Sequence, residues 1–117
     1  MSILNKPRKQ YIMSEADLKA QVIDYLRLKG AWVFPTAGSV FHRRGIPDIL
    51  ACVSGGRFFA CECKRTGGKL SPYQEVELQL IRQAGGLAIV AYDLDDVIDA
   101  LSGEHETNQR TKGEMGE

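Results

Sequence analysis

Between Gly45 and Lys64 the chain reads GIPDILACVSGGRFFACECK. Two short apolar runs flank a glycine turn and carry Asp48, Glu62 and Lys64. Charged side chains are seldom buried unless they are paired or bound to a metal. Two acids and a lysine set into apolar strands suit a metal-dependent phosphodiesterase. The carboxylates of Asp48 and Glu62 would hold a hard cation such as Mg2+, and the Cys63 backbone carbonyl would add a third oxygen. The Lys64 ammonium, two residues from Glu62, would face the attacked phosphate and offset charge developing on phosphorus.

This reading carries a geometric condition. A four-residue turn between the runs would pair residue 48 with 63 and send Asp48 and Glu62 to opposite faces of the sheet. A shared site requires an odd turn or a bulge, which Pro47 or Gly55-Gly56 could supply.

The elements that must position these groups follow from pattern. Ser14 reads as a helix N-cap, with Met13 and Leu18 as a hydrophobic staple, and the helix runs to about Lys29 before Gly30. Leu18, Val22, Tyr25 and Leu26 share one face, and Glu15 lies on it too. Glu15 either favours the helix dipole or looks into the site. A strand is expected over Ala31–Phe34, with Trp32 and Phe34 in the core. A polar loop over 36–45 and strands over Ile46–Val53 and Phe58–Lys64 follow. Ser71 and Pro72 open a second helix that ends near Ala84, with Gln74 at its N3 position. Leu87–Tyr92 is a fourth strand, and Asp93 caps a last helix through Leu101. The expected fold is α/β in the broad sense (α+β), in the order αβββαβα: a mixed four-stranded sheet flanked by helices. Residues 1–13 read as a basic flexible arm, 14–101 as one domain and 102–117 as a disordered tail.

The chain has 117 residues and zero formal net charge, which hides an asymmetry. Residues 1–72 hold twelve Lys/Arg against five Asp/Glu, whereas 73–117 hold three against ten. The candidate site lies in the basic part, which suits a polyanionic ligand. Arg43 and Arg44 before the motif, and Arg65 and Lys69 after it, are candidate phosphate contacts; the plainer reading is solvated loop charge. His42 reads as incidental, and Phe41 as a contact to bases or a partner subunit. No apolar run approaches the ~18–20 residues of a membrane span. Three cysteines in apolar runs are expected as reduced, buried thiols of a cytoplasmic protein rather than as a zinc site with His42.

The ordered set Gly45-Ile46-Pro47-Asp48, Glu62-Cys63-Lys64 and Gly68-Lys69-Leu70-Ser71-Pro72-Tyr73-Gln74 resembles the VRR-NUC family of the PD-(D/E)xK nuclease superfamily. The likeness spans about 14–101 and implies a restriction-endonuclease-like core. It implies that Asp48 and Glu62 bind Mg2+ or Mn2+ and that Lys64 is the catalytic lysine. Glu15 matches a first-helix acid that holds a second cation or its water shell. Gln74 matches a glutamine lining the site; the alternative is a capping-box partner of Ser71 with no catalytic role. The expected activity is Mg2+-dependent, structure-selective DNA endonuclease, similar to small phage-type Holliday-junction resolvases that act as homodimers on branched DNA. The alternative is a nuclease-fold module that binds DNA or protein and does no chemistry; an RNA nuclease is a third reading.

Overall fold

The structure, a computed structural model, describes residues 13–37 and 43–102. The basic arm before Met13, the loop residues Phe41 and His42, and the tail from 103 lie outside the described residues. The elements are α1 (Glu15–Leu28), β1 (Trp32–Pro35), β2 (Ile49–Val53), β3 (Arg57–Cys63), α2 (Pro72–Gln83), β4 (Leu87–Ala91) and α3 (Leu94–Leu101). They form the expected α+β arrangement with one four-stranded mixed sheet, ordered β1-β2-β3-β4. β1, β2 and β3 make an antiparallel meander, and β4 joins β3 in parallel. The parallel pair needs a crossover, which α2 provides.

The helix starts are built as their sequences dictate. Ser14 accepts the Asp17 N–H, and Asp93 accepts the Asp96 N–H. Ser71 and Gln74 form a full capping box ahead of α2, with Pro72 at its first turn. Such a cap contributes about 1 kcal/mol.

The hairpin between β2 and β3 decides the geometry of the acids. Val53 pairs with Arg57, so Ser54–Gly56 is a three-residue turn, one shorter than the even loop that would separate them. Gly55 and Gly56 take φ of +85° and +77°, which only glycine adopts cheaply. With Ile49 opposite Cys61, the register carries position 48 opposite 62, and both acids fall on one sheet face. The condition set by the sequence is met by an odd turn, without a bulge.

α1 and α3 cover one face. Leu18, Val22 and Leu26 of α1 and Val97 of α3 pack with Ile49, Phe59, Cys61 and Cys63. Phe59 is wholly buried; truncating such a side chain to alanine costs about 3–5 kcal/mol. On the other face, Leu78 of α2 seats against Ala60 and Ala88. α2 packs on β4 and β3, so the β1–β2 half of this face lies beside the helix rather than under it.

Two expectations are corrected here, the first by that offset. Trp32 and Phe34 are not core residues: Trp32 is 63% exposed and the two rings stack on each other, 6.2 Å between centroids. They lie on an edge strand, beyond the reach of α2. The second strand begins at Ile49, not Ile46. Pro47 has no N–H to give a ladder, and the Thr36 hydroxyl binds the Pro47 and Asp48 carbonyls at 2.9 and 3.1 Å. The Thr36 N–H also donates to the Asp48 carbonyl at 2.9 Å, extending the β1–β2 pairing to position 48.

Candidate active site

The acids meet where the sheet ends between the first turns of α1 and α2. Gly45 makes this convergence possible. Its φ is +86°, and a Cβ there would run into the Tyr73 carbonyl and the Gln74 nitrogen. The loop leading to Asp48 therefore passes directly under the start of α2, bringing position 48 toward Gln74.

Glu62 is 3% exposed. Its Oε2 accepts the Gln74 side-chain amide at 2.8 Å and lies 3.8 Å from the Lys64 ammonium. Its Oε1 is buried and has no hydrogen-bond partner. Burial, then the neighbouring Asp48 charge, push the Glu62 carboxyl up to about 7; Lys64 and the Asp48 backbone N–H pull the other way. Asp48 is held differently. Its Oδ2 accepts the Cys63 N–H at 2.9 Å, and its Oδ1 lies 3.8 Å from the Lys19 ammonium.

Gln74 closes the capping box and also touches Glu62, so the two contacts that the sequence set against each other occur together. Its Oε1 accepts the Ser71 N–H at 2.8 Å while its Nε2 donates to Glu62. One amide closes the capping box and fixes the orientation of a site carboxylate. Lys64 is itself mostly buried, its side chain 14% exposed, and its N–H binds the Ala91 carbonyl at 2.9 Å. Its backbone is thus tied to the end of β4, just past the last residue of β3.

Glu15 reaches the rim. Its Oε2 accepts the Arg65 N–H at 3.3 Å, at the start of the loop that follows Lys64. Among the described residues no three His, Cys, Asp or Glu side chains gather into a cluster, so Glu15 does not complete a three-acid cage with Asp48 and Glu62. Cys63 touches the site through its N–H, bound to Asp48. Cys61 and Cys63 are buried free thiols with sulfurs 3.9 Å apart. The hydrogen bond between them and then burial push the Cys61 thiol up. Cys52, expected to be buried like them, is exposed.

The basic residues divide. Arg65 and Lys69 are exposed beside the site. Arg44 lies over the Tyr73 ring at 4.6 Å, next to Gln74. Arg43 forms a two-pronged pair with Glu77 of α2, at 2.6 and 2.9 Å, which pins the loop to the helix. Lys19 was missed by sequence reasoning. Its signal was present: it follows Glu15 by four residues and therefore shares its helix face.

Two carboxylates on one sheet face, one of them with a buried oxygen that has no hydrogen-bond partner, fit a divalent cation. Such a donor set suits Mg2+, which keeps several waters and takes one or two protein carboxylates. Asp48 and Glu62 would hold it, and Gln74 and the Cys63 N–H hold those carboxylates in place.

The order of strands and helices, with acids and a lysine at the end of the meander, defines a restriction-endonuclease-like α+β domain. No protein-family model matches the chain. A curated relative, "Putative nuclease p44" from Acyrthosiphon pisum secondary endosymbiont phage 1, is 30% identical over 95 residues, covering 78% of this chain and 98% of the relative. A solved structure described as a VRR_NUC domain has the same fold. It matches with a TM-score of 0.62 at 22% identity, over 73% of this chain and 91% of that one. The chain belongs to the VRR-NUC nuclease family. Among the described residues, no helix is long and apolar enough to cross a membrane.

Proposed function

We propose that the protein is a Mg2+-dependent, structure-selective DNA endonuclease that acts as a homodimer on branched DNA such as a four-way junction. The observation that carries this reading is the buried, unbonded Oε1 of Glu62 beside a second carboxylate and a buried lysine. A site without chemistry has no use for that arrangement, because an unsatisfied buried carboxylate oxygen costs free energy.

When bound, the cation neutralises phosphate charge and makes a neighbouring water more acidic. The residues do the rest. Asp48 and Glu62 present oxygens on one face of the sheet, in positions fixed by backbone and by Gln74. The Lys64 ammonium orients the attacking water and offsets charge growing on phosphorus. Water oxygen bonds to phosphorus as the bond to the 3′ oxygen breaks, leaving a 5′-phosphate and a 3′-hydroxyl. Lys19 steadies Asp48 from α1. Arg44, Arg65 and Lys69 ring the site as phosphate contacts. A four-way junction needs two symmetric cuts, which a two-fold dimer would supply.

The test is cleavage of flap, splayed, nicked and four-way DNA with Mg2+, against EDTA. Asp48→Asn and Lys64→Ala should each lower cleavage at least ~10²-fold, about 2.7 kcal/mol of transition-state stabilisation. The lysine variant should still bind DNA. Cleavage that persists in EDTA, or near-normal rates in these variants, removes the mechanism. DNA binding without cleavage by the native protein would favour the module that does no chemistry.

A further inference from the structure

Two aromatic rings lead away from the acids along the edge strand. The β1–β2 register sets Phe34 opposite Leu50 and carries Thr36 opposite Asp48. Phe34 is therefore the diagonal neighbour of Asp48, on the sheet face that carries both carboxylates. Diagonal neighbours lie ~7–8 Å apart, within reach of an aromatic side chain. Trp32 stands two residues further along β1, a step of about 6.6 Å on the same face. Its ring stacks on Phe34, with centroids 6.2 Å and planes 17° apart. Because α2 packs on β4 and β3, this half of the sheet stays open, and Trp32 is 63% and Phe34 43% exposed.

Aromatic rings gain free energy by leaving water, so a flat stack held open beside a reactive centre calls for a ligand. The ligand that reaches the acids is the one that continues onto the stack. Aromatic rings spaced along a groove take the bases of a single strand, and they do so for any sequence because every base has a flat π-face. The positive charge that must track the strand's backbone stands at the acid end of this row. Lys19 lies beside Asp48, and Arg44 covers the exposed Tyr73 ring, one residue from Gln74. A duplex keeps its base faces inside its own stack and offers the row only backbone. An unpaired arm offers both.

We infer that the Trp32–Phe34 stack is a platform for the unpaired nucleotides beside the cut phosphate, Phe34 taking the first base and Trp32 the next. The inference rests on the DNA cleavage proposed above and names what the site recognises: a single-stranded arm that leaves across edge strand β1. Recognition then uses base faces rather than base edges, so it selects DNA structure and ignores sequence.

Trp32 is the one tryptophan of the chain, so its emission reports the platform directly. In EDTA, oligothymidylate should quench that emission, and a blunt duplex of equal length should not. By anisotropy of labelled oligothymidylate, Trp32→Ala should bind at least ~5-fold more weakly, the lower end for loss of one base–aromatic stack. Its duplex affinity and circular dichroism should be unchanged. Trp32→Phe, which keeps a ring, should restore most of the affinity. Leu28→Ala, at an exposed position on α1, should bind as the native protein does. With Mg2+, Trp32→Ala should raise KM for flap and splayed DNA and leave kcat within a few-fold. Unquenched emission, or equal oligothymidylate affinity in the native and Trp32→Ala proteins, overturns the platform; if the native protein then still cuts branched DNA, the nuclease reading stands. Quenching and loss of affinity, without cleavage by the native protein, remove the nuclease reading and keep the platform. A lower mass by sedimentation in Trp32→Ala, with oligothymidylate affinity unchanged, assigns the face to another copy of the chain and overturns the inference.

Discussion

Two nearly buried glutamates, Glu77 on α2 and Glu62 on the strand beneath it, have opposite fates. Glu77 is met by Arg43 with two short hydrogen bonds, and this pairing holds its carboxyl below the usual range. Glu62 meets a neutral amide, a lysine at 3.8 Å and the charge and backbone N–H of Asp48, and its Oε1 has no hydrogen-bond partner. Its carboxyl is pushed up to about 7. Glu77 is a fastener: it ties the Arg43 loop to α2 and so holds Asp48 where the sheet ends. Glu62 is left unsatisfied, which is the property a cation ligand needs. The difference separates charge that makes the fold from charge that the fold holds ready.

The sharpest way to break the comparison is to neutralise each glutamate in turn. Glu62→Gln should lower cleavage at least ~10²-fold and abolish most Mn2+ binding measured by calorimetry. Glu77→Gln should keep the rate within a few-fold while lowering the melting temperature. If the two variants exchange these phenotypes, the division between fastener and ligand is wrong.

A second difference appears in pH dependence, measured by urea unfolding without divalent ions. The folded carboxyl of Glu62 sits above its unfolded value of 4.5, so between about pH 4.5 and 7 the folded state holds the extra proton. Stability from this group therefore falls as pH rises through that window. Glu62→Gln removes the penalty. It should stabilise the protein at pH 8 by on the order of 2 kcal/mol after allowing for screening, and by little at pH 5. Glu77 has the opposite sign. Its lowered value contributes stability above its unfolded 4.5 that is lost as pH falls below it, so Glu77→Gln should matter at pH 7 and fade in acid.

How much of this was legible in the chain divides along the same line. Ser14, Ser71, Pro72 and the glycines state the element order through local rules, and the observed order follows. The ligand pair was legible as residue types, but its geometry depended on one residue of turn length, which Ser54–Gly56 settles only in three dimensions. Arg43 and Glu77 are 34 positions apart, and no local pattern links them. Trp32 and Phe34 read as core because a short apolar strand normally is. What exposes them is the offset of α2 toward β3 and β4, a property of packing that periodicity does not carry.

The smallest effect separates the basic residues. A phosphate contact contributes close to one unit to the slope of log K against log[salt]. Arg65→Ala and Lys69→Ala should each flatten that slope by about 1 for a four-way DNA, with stability unchanged. Arg43 is bound to Glu77, so its removal frees a buried carboxylate instead of a phosphate site. Arg43→Ala should lower the melting temperature, flatten the slope less than Arg65→Ala, and have its stability defect relieved by a second Glu77→Gln substitution. Should Arg43→Ala flatten the slope as fully as Arg65→Ala with no loss of stability, the arginine serves the DNA after all. Glu77 would then be as uncommitted in the folded protein as Glu62.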